Sequence, residues 1–213
     1  MQAKRKRGRP SVQNATDKND LLNTARQEFA LRGYEGVSMT GLAKAAGISD
    51  ALLYYHFKNK ETLWKEAVTD STRQLATQIE EVQKLFKDLK GISVLKVLTR
   101  QFTYFTANNI DFTKIVFQEM INRSERAKWL VENLMTPIHN TVVDILEEAQ
   151  RKGEIKQFPI PNFTSAIIGA ITSYFIHAYK LELLYDVKPL EEDAIEQHID
   201  TINEIFFSNI LDE

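Results

Sequence analysis

The residues with most chemistry to offer lie together, where the chain reads Ala51-Leu52-Leu53-Tyr54-Tyr55-His56-Phe57-Lys58. If this segment is a helix, Leu53 and Phe57 stand four apart and share the face that packs inward. Ala51, Tyr54, Tyr55 and Lys58, at i, i+3, i+4 and i+7, then occupy the opposite face. Two phenols and an ammonium are a poor choice for a merely solvated surface. They suit a DNA major groove, where phenol hydroxyls bond phosphates or base edges and the small Ala51 permits close approach.

Charge gives independent support. Through residue 60 there are eleven cationic and five anionic side chains, a net +6, while the rest of the chain carries −8; the overall −2 conceals the split. A basic head on an acidic body implies that the head meets a polyanion and the body does not.

The elements that must position these residues are helices, and the fold expected is all-α, with no strand-like alternation in the chain. A first helix is expected over about 17–32, with Leu22, Ala25 and Phe29 inward, Thr16 or Asp17 as cap and Gly33 as stop. Ser38 caps a short second helix that stops at Gly47, where the turn needs a residue tolerant of positive φ. Ser49 caps the third through about Phe57, and Asn59 caps a long fourth. Three helices with a tight turn between the second and third make a helix-turn-helix. Beyond a break at Lys90-Gly91, helical spacing resumes at Leu95, Leu98, Phe102 and Phe105, and again from Leu130 to Ile145, where Pro137 should kink the helix or force a local rearrangement. Two last helices are expected over about 162–184 and 191–210.

Other chemistries find little footing. With no cysteine in the chain, disulfides and thiolate metal sites are excluded, and His139, His177 and His198 lack ligand partners at metal spacing. There is no nucleophile elbow, phosphate loop or HExxH, and carboxylate pairs such as Glu147/Glu148 and Glu191/Glu192 fit solvated helix faces. No catalysis, metal or cofactor is expected. The most membrane-like stretch, 163–181, is interrupted by Thr164, Ser165, Thr172, Ser173, His177 and Lys180, as a buried soluble helix would be. Without a secretion signal, a cytoplasmic location is expected.

The run from Gly47 to Leu63, with Phe29, Gly33-Tyr34, Ser38-Met39-Thr40 and Leu42-Ala43 upstream, resembles the recognition-helix region of TetR-family transcriptional regulators over about residues 17–65. The resemblance implies DNA contacts position by position. Ser38 and Thr40 would bond phosphates; Ser49, Asp50, Ala51, Leu52 and Tyr54 would lie over base edges. Tyr55 and His56 would grip the backbone, and Lys60, at the start of the fourth helix, would add a charged contact. His56 alone could equally be a structural histidine. Asp50-Ala51-Leu52 departs from the family pattern of a basic or polar residue, Gly, then Thr; Asp50 either accepts from a cytosine amine or caps its helix. The arm carrying Arg5, Arg7 and Arg9 contains an Arg-Gly-Arg-Pro core similar to an AT-hook, against which stands a plain basic arm attracting phosphates.

The resemblance also implies a ligand pocket in the body, for which Phe102, Phe105, Phe117, Trp129, Met135 and His139 are candidates, although any one aromatic could be ordinary core. The last two helices are apolar over a wide arc and so need partners on two sides. Ile167, Ile171, Tyr174 and Ala178, with Ile195, Ile199, Ile202 and Phe206, are expected to pair with a second copy in a four-helix interface, as the family implies. The expected organisation is a basic arm (1–15), a DNA-binding head (16–64) and an effector-binding and dimerisation body (65–213). Such a homodimer would bind a near-palindromic operator as a repressor released by a small apolar or amphipathic effector. A constitutive or architectural DNA-binding dimer and a regulator answering to a protein partner are the alternatives.

Overall fold

The computed structural model describes residues 18–85 and 91–208. The basic arm with Arg5, Arg7 and Arg9, the cap at Thr16 or Asp17 and the far end of the last helix lie outside the described residues. Those described form helices α1 (Lys18–Arg32), α2 (Met39–Ala45), α3 (Asp50–His56), α4 (Lys60–Leu85), α5 (Gly91–Asn108), α6 (Ile110–Asn122), α7 (Glu125–Leu130), α8 (Thr136–Arg151), α9 (Ile160–Ile176), α10 (Ala178–Tyr185) and α11 (Glu192–Phe207), with no strand among them.

Local chemistry sets the ends of the head helices. Gly33 leaves α1 with φ +69°, and Gly47 makes the turn after α2 with φ +68°, a conformation that costs a side chain dearly. Ser38 accepts from the Gly41 N–H at 3.0 Å and Ser49 from the Leu52 N–H at 3.2 Å, each capping a helix of only seven residues. Asn59 accepts from the Thr62 N–H at 2.8 Å and starts the 26-residue α4, which packs against α1 of the head and α5 of the body.

Two packed clusters result. The first joins the head to the body without a seam: Phe29, Leu53, Phe57 and Trp64 are fully buried with Ile115 and Leu130 of α6 and α7. Truncating Phe57 to Ala there would cost about 3–5 kcal/mol. The second holds Ile92, Leu146, Ile167, Ile171, Phe175, Ile195, Ile199, Ile202 and Phe207, from α5, α8, α9 and α11.

Pro137 acts upstream of itself. Val131–Met135 form a π-helical segment in which the Thr136 N–H and, at 2.7 Å, the Thr136 hydroxyl both donate to the Val131 carbonyl, five residues back. The wider turn joins α7 to α8 where a proline, lacking an N–H and crowding the carbonyl four residues before it, forbids a regular one. The 162–184 helix is likewise broken. At His177 the backbone leaves helical geometry (φ −98°, ψ 20°), dividing α9 from α10.

Candidate DNA-binding face and ligand cavity

Helix α3 presents the expected face. Leu53 and Phe57 are buried, while Ala51, Tyr54 and Tyr55 are exposed, Tyr55 at 83%. The helix ends at His56, so Lys58 stands exposed in the following bend rather than as the seventh step of a helix. His56 is half-buried, its ring meeting Tyr55 edge-on at 5.4 Å, and Leu52 is half-buried too.

Three polar residues of this region already have work within the protein. The Thr40 hydroxyl donates to the Asp50 carboxylate at 2.7 Å, tying the start of α2 to the start of α3. Asp50 lies in the first turn of α3, where a negative charge favours the helix dipole. Lys60 donates to the Tyr34 and Val37 carbonyls, both at 3.0 Å, and its ammonium lies 4.2 Å from the Tyr34 ring centre. It holds the α1–α2 loop in place. In that loop Gly36 is obligatory, since a Cβ there would fall 2.4 Å from the Arg32 carbonyl oxygen.

Sequence reasoning missed a junction between head and body. The Arg126 guanidinium at the start of α7 lies 3.7 Å from the Tyr34 ring centre, and its Nε donates at 3.0 Å to Glu119, a carboxylate only 4% exposed. Ser124 donates to the same carboxylate, and Arg126 also reaches Glu35 at 3.4 Å. Burial raises the Tyr34 phenol above its ordinary pKa, with Arg126 pulling against the rise. Beside this cluster Gln118 donates to the Ala30 carbonyl of α1 at 2.9 Å. No periodicity signals such contacts, because they join residues some ninety positions apart.

A cavity of about 450 Å³ opens between the two cores. Phe102, Phe105, Phe117, Met135 and His139 line it as expected, with Leu98, Val116, Val142, Ile168 and Phe207 among their neighbours. Trp129 does not. It packs edge-on against Trp64 at 5.9 Å beneath the Lys65 ammonium, because α7 turns that side toward α4. Helix α6 serves two sites: Phe112, Thr113, Val116 and Phe117 face the cavity, while Gln118 and Glu119 hold the head.

The expected interface residues are placed differently. Ile167, Ile171, Ile195, Ile199 and Ile202 are buried inside one chain, and Tyr174 and Phe206 pack against that core; Ala178 is half-buried. Helix α9 packs within its own chain against α5, α6, α8 and α11, which is why its apolar arc is wide. Tyr179, Leu183, Leu184, Tyr185 and Ile205 are the large apolar residues that remain exposed on α10 and α11.

The family models decide the relationship. Residues 21–67 match "Bacterial regulatory proteins, tetR family", and residues 93–205, more than half the chain, match "Tetracyclin repressor-like, C-terminal domain". The chain belongs to the TetR family. It is a helix-turn-helix DNA-binding transcriptional regulator. A curated TetR-family relative, the transcriptional repressor AcnR of Corynebacterium jeikeium, is 26% identical over 67% of this chain and 70% of its own. Two solved structures share the fold. The ketosteroid transcriptional regulator KstR2 of Mycobacterium tuberculosis has a TM-score of 0.74 at 18% identity, covering 94% of this chain and 98% of its own. FadR from Bacillus subtilis, in complex with stearoyl-CoA, has a TM-score of 0.65 at 19% identity, covering 90% and 98%. Among the described residues of this TetR-family protein, no helix is long and apolar enough to cross a membrane.

Proposed function

We propose that the protein is a homodimeric repressor that leaves its operator when a small lipophilic molecule enters the cavity. The observation that carries this reading is the double duty of α6. An occupant pressing on Phe112, Val116 and Phe117 acts on the same helix whose Gln118 and Glu119 hold α1 and, through Arg126, Tyr34. The ligand shifts DNA affinity only by as much as it prefers one head position over the other. The FadR structure from Bacillus subtilis holds stearoyl-CoA, and an acyl chain of that kind is in keeping with the apolar wall here.

On DNA, Ser38 and Ser49 donate their hydroxyls to phosphate or base edges while still accepting their cap bonds, and Ala51, Leu52 and Tyr54 lie over the bases. Tyr55 and His56 hold the backbone. Lys60 gives phosphate its third N–H, and Thr40 does so on exchanging its bond to Asp50. A second copy covers the exposed apolar side of α10 and α11, putting two reader helices on successive major grooves of one duplex face. The DNA head (16–64) and the body (65–213) are coupled through α4 and α6, and the protein works in the cytoplasm where the operator is.

Selecting bound duplexes from a random pool tests this. Two inverted half-sites about one helical turn apart, or a multiple of it, are expected. Absence of any enriched sequence contradicts the reading; an enriched operator that no lipophilic compound releases points to a constitutive DNA-binding dimer.

A further inference from the structure

The cavity wall specifies more than apolarity. Resting on the reading of the cavity as the effector site, we propose that its ligand is uncharged, a mainly hydrocarbon molecule whose one neutral oxygen is met by His139. Among the described residues no Asp, Glu, Lys or Arg lines the cavity. Six threonines do, yet they offer little. Thr72, Thr136, Thr164 and Thr172 donate at 2.7–3.0 Å to carbonyls of their own or the preceding turn, and Thr113 does so at 3.4 Å. The hydroxyl protons of these five are spent on the backbone, which leaves Thr99 and His139 as the lining side chains able to donate to a ligand.

A carboxylate or phosphate brought into that wall would lose its water and find no Lys or Arg and only the Thr99 hydroxyl and the His139 ring as donors, too few to replace its hydration, which disfavours the ionised form. A hydrocarbon body loses nothing there and gains burial. The rim agrees with the wall. Phe117, Val131 and Ile168 line the cavity and are each about two-fifths exposed, an apolar lip that a hydrocarbon chain can cross. His139 lines the cavity and is exposed to solvent, so it can bond a hydroxyl or carbonyl oxygen held at the entrance. Its imidazole both donates and accepts, which suits a neutral group in either role.

Thermal melting of the full chain with dodecanol, dodecanoate and dodecanoyl-coenzyme A, matched in chain length, tests the proposal. Dodecanol is expected to raise the melting temperature saturably and at the lowest concentration of the three. His139→Ala is expected to weaken it by about 2- to 10-fold, the loss of one hydrogen bond, without lowering the melting temperature of the free protein. Val116→Phe, which fills part of the cavity, is expected to abolish the shift. Tighter binding of dodecanoate or the coenzyme A ester, lost in Val116→Phe, overturns the neutral ligand and leaves the cavity as effector site. A dodecanol shift unaltered in Val116→Phe, or no shift with any of the three, overturns this proposal and the cavity reading together.

Discussion

At the scale of single residues, the proposed DNA face would combine groups that attract the duplex with one that repels it. Asp50 occupies the Thr40 hydroxyl and sets a carboxylate on the face proposed to meet DNA. Asp50→Asn removes the charge and is expected to tighten binding to all sequences by about 1 kcal/mol, roughly fivefold, at low salt; a gel-shift titration on operator and on random DNA measures both. Lys60→Gln removes the clamp on the Tyr34 and Val37 carbonyls and, on the proposed reading, a phosphate contact. Binding should weaken on every sequence, with the slope of log affinity against log salt falling by about one per half-site; a slope equal to that of the parent would contradict the phosphate role. Arg126 has a different task. Its loss leaves Glu119 buried without its cation, so Arg126→Gln is expected to cost about 3 kcal/mol in chemical denaturation.

At the scale of elements, the caps and turn glycines of the head were legible in the sequence because each depends on its near neighbours. Ser38, Ser49 and Asn59 start helices, and Gly33 and Gly47 close them, as their spacing implies. The exposed face of α3 was legible for the same reason. The stripe Ile195, Ile199, Ile202 marks a covered face, but a stripe does not say which chain covers it, and the expected cover was a second copy. Only the packing of α11 against α5 and α9 reveals that the cover is internal. Trp129 misled in a similar way, since an aromatic on α7 fits a pocket wall or the Trp64 contact equally well in sequence. The α9–α11 contact itself carries a pH signature. His198 stacks on Tyr174 at 4.1 Å, its Nε2 buried with no hydrogen-bond partner among the described residues, and burial lowers its pKa below the ordinary value. The unfolded chain therefore binds the proton more readily than the folded one. The stability this histidine permits is complete above about pH 6.5, the unperturbed value, and is lost as the pH falls from there toward the depressed folded pKa. His198→Phe should keep the stack and flatten the decline in melting temperature between neutral and mildly acidic buffer.

At the scale of the whole molecule, the account requires a dimer, a cavity and a route between the cavity and DNA. The exposed Ile205 lies on the side of α11 left open by the intramolecular core. Ile205→Asp is expected to weaken self-association by at least about tenfold, a change of 1.4 kcal/mol, in sedimentation equilibrium while the melting of the single chain changes little. The route is continuous: cavity wall, α6, the Glu119–Arg126–Tyr34 cluster, then the loop held by Lys60 before α2. Both tryptophans of the chain, Trp64 and Trp129, lie at this junction, so their emission reports on it. The most direct measurement is the affinity for a selected operator with the cavity empty and with it saturated by a ligand whose stabilisation is lost in Val116→Phe. Saturation should weaken DNA binding at least about tenfold, and operator should weaken the ligand by the same factor, as linkage demands. A saturated cavity with operator affinity and ligand affinity both unchanged would contradict the account.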